Sequence, residues 1–348
     1  PLSKLKTGVH IIAVEIHQFS EASDDISFDL KLTANEFELP PPPPPSGATV
    51  IRGPYLNAAS QTSVHVRWRT DVTVNSVLRY GLSDGVFTTT VTDTNLVTEH
   101  DVLVTGLTDQ TKYYYSIGTS DPAIETFKSG SKFFFNTLPQ KGVERSSKFA
   151  IFGNSGNNSA NQTDVRNSLM QHLGSQHLDG MILLGNNAYS TGTDAEYQTN
   201  FFNQYQDTLL NNVVIWPSPG DADYANSAAR QDDHAIPYYD IFSLPSAGES
   251  GGVASGTESF YSYDYANVHF LSLDSYGKES SAYRLFDTTG PQVQWIKNDL
   301  AANTQKWTVA YWNQAPYTMG SDNSDTDPDL VAIRENLIRI LERYGVDL

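Results

Sequence analysis

The sequence predicts a multidomain chain: an all-β sandwich over residues 48–140, then an α/β domain over 145–348 whose strands form a sandwich flanked by helices. Three observations predict it. Short apolar runs separated by turn residues recur from Thr49 to Leu138. Beyond Gln140, apolar runs alternate with helical periods, the mark of an α/β domain. Six consecutive prolines, Pro40 to Pro45, set residues 1–39 apart.

Within 1–39, the runs GVHIIAVEIH (8–17) and ISFDLKLTA (26–34) flank the polar turn SEASDD and read as two β strands. Two strands bury too little to be stable alone, so they are expected to be the carboxyl-terminal part of a β domain. They resemble the closing strands of a galactose-binding-like jelly roll, with a β tail packed on whatever precedes it as the alternative. The prolines, within a linker over 40–47, should form a polyproline II rod of roughly 19 Å. In the next stretch SVHVRWRT, NSVLRYG, EHDVLVTGL, TKYYYSIGT and KFFFNTL are the expected strands, with Trp68 in the core and the tyrosine run alternating between core and surface.

Strands are then expected at 148–153, 181–185, 213–217 and 307–312, with a hairpin over 260–274 turning at Ala266 and Asn267. Helices are expected near 161–174, 194–209, 292–302 and 329–344, the third with Pro291 near its first turn. Gly345 is a natural stop, and Val346 to Leu348 read as the start of one more strand. Pro1 is not a natural start, so the chain is expected to be a fragment of a longer precursor.

Composition bounds the function. Lys and Arg number 22 against 40 Asp and Glu, a formal charge of -18, which argues against nucleic acid as a partner and leaves an anionic substrate dependent on a local cationic centre such as a metal. There is no cysteine, so disulfides and Cys-based zinc sites are excluded. No apolar run is long enough to span a membrane as a helix. A cysteine-free chain rich in Ser, Thr, Asn and Tyr is compatible with a secreted or cell-surface protein of the bacterial exported type.

Four apolar runs stop at small or polar residues: KFAIFGNSG (148–156), MILLGNNAY (181–189), VVIWPSPGDADY (213–224) and WTVAYWNQAPYTMGSDNSD (307–325). An open α/β sheet places its ligands just beyond the carboxyl ends of its strands, so these segments can bring short polar side chains to one edge. That is the arrangement of a metal-dependent hydrolase.

In order and spacing, FGNSG, LLGNNAY, PSPGDADY and YWNQAPYTMGSDNSD, with the preceding β module, resemble the purple acid phosphatases within the calcineurin-like metallophosphoesterases, over roughly residues 50–348. The Leu107, Thr111, Tyr113 spacing likewise resembles the late-strand corner of fibronectin type III modules. The resemblance implies a fibronectin III-like sandwich followed by a metallophosphoesterase-type domain. It also implies hydrolysis of a phosphomonoester at a dinuclear metal centre of Fe with Fe, Zn or Mn, where a bound hydroxide attacks phosphorus.

Carried over residue by residue, the implied site is damaged. Asn154 stands where the family has its first Asp and Asn186 where it has the metal-bridging Asp, while Tyr189 matches the tyrosine ligand. Asp221 replaces a ligand Asn, Ala222 the catalytic His that assists the leaving group, and Asn313 a ligand His; Asp223 matches the last residue of its motif. Asp322 stands at a substrate-facing position, and the closing motif would lie just past Leu348. Of the ligands the resemblance implies, only Tyr189 is retained. A neutral amide cannot give two cations the charge of a bridging carboxylate, and Asn313 cannot replace an imidazole nitrogen. Most exchanges keep side-chain outline. They fit natural divergence, deliberate inactivation, or a sequence read partly from density in which similar residues were interchanged.

The expectation is therefore a purple-acid-phosphatase-like phosphoesterase that is inactive as written. The alternative is a non-catalytic extracellular scaffold, surface or filament-type module with a self-assembly or surface partner. Asn157 and Asn161 lie in glycosylation triplets that are frequent by chance in an Asn-rich chain. His172 and His177 read as surface residues at a helix end, His234 is ambiguous, and His269 reads as a satisfied structural histidine.

Overall fold

The computed structural model describes residues 47–348 apart from 123 and 321, so the strands and proline rod expected before residue 47 lie outside the described residues. Five strands come first: β1 (Val50–Asn57), β2 (Val64–Gly81), β3 (Thr89–Val104), β4 (Lys112–Gly118) and β5 (Phe134–Asn136). They pair in the order β1-β2-β4-β5, with β3 also on β2. This differs from the expected row of short strands. SVHVRWRT and NSVLRYG are two halves of the single strand β2, which pairs β1 through its first half and β4 through its second. Two register shifts, between Arg69 and Val74 and between Val74 and Ser76, absorb the polar stretch that reads as a break. Trp68 fills the core as expected, fully buried and stacked on His100 at 4.7 Å. The hydroxyl of Tyr113 accepts the Thr108 N–H at 3.0 Å, pinning the turn before β4.

The α/β portion contains two three-stranded sheets. In one, β6 (Phe149–Phe152), β7 (Gly180–Leu184) and β8 (Ile215–Ser218) run parallel in chain order. In the other, β10 (Val268–Ser272) lies between the antiparallel β9 (Tyr261–Tyr265) and the parallel β11 (Trp307–Tyr311). Aromatic side chains pack the sheets face to face: Trp216 stacks on Tyr263 at 3.8 Å, and Phe149 meets Phe270 at 5.1 Å. Buried hydroxyls need partners in such a core, and Tyr261 donates to the Pro217 carbonyl at 2.7 Å.

Helices cover the outer faces. The Ala160–Leu173 helix starts at Ser159, whose side chain caps the Gln162 N–H. The Pro291–Ala302 helix buries Trp295, Ile296 and Leu300 in one cluster with Leu271 of β10 and Leu273 just after it, together with Ile333, Leu337 and Leu341 from the helical segment 328–343. The expected 194–209 and 329–344 helices are helical but contain π turns over Tyr197–Phe202, Gln206–Leu210 and Ile333–Ile338. At the chain's end, the Ala310 N–H donates to the Leu348 carbonyl at 2.8 Å, alongside β11.

The junction between the two portions has no signal in the sequence. Leu56 and Val214 form a parallel backbone bridge, and the Tyr55 hydroxyl donates to the Ile241 carbonyl at 2.7 Å. Arg52, fully buried, reaches Gln198 Oε1 at 2.8 Å and Asp194 at 3.0 Å, and Arg69 pairs with the same Asp194.

Candidate active-site cleft

The carboxyl ends of β6, β7, β8 and β11 open on one cleft of about 600 Å³. Asn154, Asn186, Tyr189, Asp221, Asn313 and Asp322 all line it. Ala222 is buried immediately behind, its N–H donating to Asn186 Oδ1 at 2.9 Å. The cleft thus brings together the motif positions although they come from separate loops.

Two glycines make this approach possible. Gly185 has φ +84°, and a Cβ there would stand 2.8 Å from the Asn313 side chain. A Cβ on Gly220 would overlap the side-chain oxygen and backbone nitrogen of Asn186. Asn154 and Asn186 themselves adopt left-handed φ values of 55° and 56°, a conformation Asn tolerates better than most residues.

Hydrogen bonds fix the loops. The Asn154 N–H donates to the Gly185 carbonyl at 3.2 Å, and Asn313 Nδ2 donates to the Leu184 carbonyl at 2.7 Å. Asn186 Nδ2 donates to the Tyr189 hydroxyl at 3.1 Å. Beneath them the carboxylate of Asp223 accepts the Asn187 N–H at 3.1 Å, the Gly220 N–H at 2.9 Å and the Tyr197 hydroxyl at 2.6 Å. Burial still dominates over these donors and pushes the Asp223 carboxyl up to about 6.

Sequence reasoning missed part of the wall. Tyr276, Asp327 and Asp329 also line the cleft, supplied by the segments after β10 and β11. Burial raises the Tyr276 phenol above its ordinary value, and Asp221, Asp322, Asp327 and Asp329 raise it further. The described lining carries four carboxylates and no Lys or Arg. An anion entering such a cleft meets net electrostatic repulsion unless a cation accompanies it.

The donor set does not fit a dinuclear centre. Among the described residues no group of three His, Cys, Asp or Glu side chains is arranged to hold a metal ion. Asn154, Asn186 and Asn313 are neutral, and the Asn186 and Asn313 amides already have protein partners. Burial, with some contribution from Asp221 and Asp223, holds the Tyr189 phenol above its ordinary value, which opposes the phenolate a metal would need; the Asn186 hydrogen bond only partly offsets this.

His172, His177, His234 and His269 lie outside the cleft lining. His269 is buried between Asp264 at 2.7 Å and Asp299 at 2.6 Å. His234 stacks on Tyr239 and contacts Ser259 Oγ at 3.0 Å. His172 and His177 are exposed.

Residues 52–137 match the family model of the purple acid phosphatase N-terminal domain. Among curated proteins, Purple acid phosphatase 15 of Arabidopsis thaliana is 26% identical over 274 residues, covering 72% of this chain and 47% of that protein. Purple acid phosphatase 23 of Arabidopsis thaliana is 24% identical over 276 residues, covering 72% of this chain and 55% of that protein. The chain spans about half the length of these relatives. Among solved structures, that of PhoD superposes with a TM-score of 0.59 at 15% identity, covering 84% of this chain and 69% of that chain, a likeness of fold.

Proposed function

We propose that this chain, a purple acid phosphatase-like protein with a phosphoesterase-type fold, keeps the cleft of that fold but does not hydrolyse phosphomonoesters as its sequence stands. The observation that carries the reading is the hydrogen bonding of Asn186. Its oxygen is taken by the Ala222 N–H, and its amide nitrogen donates to the oxygen of Tyr189, the retained ligand of the implied metal set. A dinuclear centre would need charge and free lone pairs at both residues. With Ala222 in the place of a histidine, no imidazole stands there to protonate a leaving oxygen.

The substrate class that the family resemblance implies, a phosphomonoester, is accordingly expected to bind weakly to an acidic cleft without a metal. An exported or cell-surface setting belongs to the same proposal. The second reading, a non-catalytic scaffold or assembly module, draws on the neutral amides that stand at positions 154, 186 and 313.

The test incubates the chain with Mn²⁺, Zn²⁺ or Fe³⁺, removes free metal by dialysis, and measures bound metal together with hydrolysis of p-nitrophenyl phosphate. We expect neither stoichiometric metal nor turnover above the buffer rate. Chelator-sensitive turnover would overturn the reading. Replacing Asn154→Asp, Asn186→Asp, Asp221→Asn, Ala222→His and Asn313→His together is expected to raise metal retention, since these changes restore the implied donors as one unit.

A further inference from the structure

A cleft that relies on metal ions to tie its loops together should loosen without them, because the carboxylates that held the ions then repel one another. The loops of this cleft are tied directly. Asn186 follows β7, and its oxygen accepts from Ala222, which follows β8. Its orientation is determined: the Ala222 N–H can only donate, so the side-chain oxygen faces it and the NH₂ must face Tyr189. Asn313, after β11, is oriented the same way by the Leu184 carbonyl, which can only accept. Asn186 is 7% exposed, and a carboxylate of the same outline would add a charge to a buried loop whose Asn186 and Asn187 backbone N–H groups already serve the Asp223 carboxylate.

We propose that Asn186 is a positioning residue that does the tying a metal ion would otherwise do: a neutral strut joining the β7 and β8 loops, which keeps the cleft assembled with no ion bound. This rests on the reading that the metal-ligand positions have been vacated. It goes further in giving that amide, above the Asp223 contacts that join the same two loops from beneath, a direct share in the cleft's order. Stability and local order are then indifferent to metal, and a carboxylate at position 186 makes them metal-dependent.

The experiment is hydrogen exchange by mass spectrometry, with thermal melting, on the full 348-residue chain in a chelator and in millimolar Mn²⁺. For the unaltered chain, exchange in segments 184–190 and 219–224 should be the same in both buffers. Asn186→Ala should speed exchange in those segments roughly tenfold, the loss of a buried hydrogen-bond pair, with little change in the distant β1 to β5 sheet. Asn186→Asp should melt below the unaltered chain in the chelator and recover in part in millimolar Mn²⁺, which the new carboxylate and Asp221 can share as one weakly held ion, short of the dinuclear centre that needs all five changes. If Asn186→Ala fails to fold, the comparison of Asn186→Asp in the two buffers carries the test. Slower exchange of the unaltered chain on adding Mn²⁺, unchanged exchange in Asn186→Ala, or an Asn186→Asp chain equally stable in the chelator would each overturn the strut. Phosphatase activity of the unaltered chain would instead overturn the functional reading, so the two failures are distinguishable.

Discussion

The hydroxyl of Tyr197 donates to the carboxylate of Asp223 at 2.6 Å, completing a shell of donors around a charge that has no exposure to solvent. Tyr197 lies in a helical segment, whereas Asp223 lies in the loop after β8, so their bond ties that loop to the helical segment. Tyr197→Phe leaves a buried carboxylate short of one donor, a loss on the order of 1–3 kcal/mol. Urea unfolding of the single variant should show it, with the far-ultraviolet spectrum of the native state unchanged.

The His269 network gives a pH dependence with a definite sign. Burial alone would lower the imidazole, but hydrogen bonds to Asp264 and Asp299 outweigh it and raise His269 to about 9. A group raised on folding contributes stability that is complete below its unfolded value near 6.5 and is lost as pH rises through the folded value. Urea midpoints should therefore decline from about pH 6.5 to pH 9. His269→Gln should lower the midpoint at neutral pH and flatten the decline.

Asp194 serves two arginines at the junction of the two portions. Its own side chain is 42% exposed, which screens the interaction, but Arg52 has no exposure. Asp194→Ala is expected to cost about 1–3 kcal/mol, because it strips a partner from a buried guanidinium. Glu125→Ala removes the partner of Arg79 at the surface and should cost about 0–1 kcal/mol. Parallel denaturation curves of the two variants would check the ordering.

Gly220→Ala should be more harmful than its size suggests. The added methyl would overlap the Asn186 side chain and backbone, so the loops after β7 and β8 must separate. Overpacking of this kind costs about 1–3 kcal/mol. The variant should melt lower and expose the segment around Asn186 to proteolysis.

The cleft was legible at Asn154, Asn186, Tyr189, Asp221 and Asn313 because each follows an apolar strand within a few residues, and strand ends are local signals. Tyr276, Asp327 and Asp329 were not, since their loops leave the sheet and return along a path that only packing decides. Strand β2 shows the converse failure. Its polar middle reads as a turn, yet Thr70 is buried with its hydroxyl 2.9 Å from His100 Nε2, and Asn75 donates to Ser120 Oγ at 2.6 Å. Partners 30 and 45 residues away satisfy those side chains, and no window along the chain contains them. Asp223 was legible as a motif residue, but its burial depends on Tyr197, a contact that crosses 26 residues.

The backbone bridge from Leu56 to Val214, reinforced by Asn57 Nδ2 on the Ile215 carbonyl at 3.4 Å, also gives the molecule a load path. Tension applied through β1 passes sideways into β8, the strand whose end leads to Asp221. Pulling the amino-terminal sheet is therefore expected to load β8 as well as the sheet itself. In a force-extension experiment the two portions should yield in a single rip, and a ligand seated against Asp221 should raise the force at which it occurs.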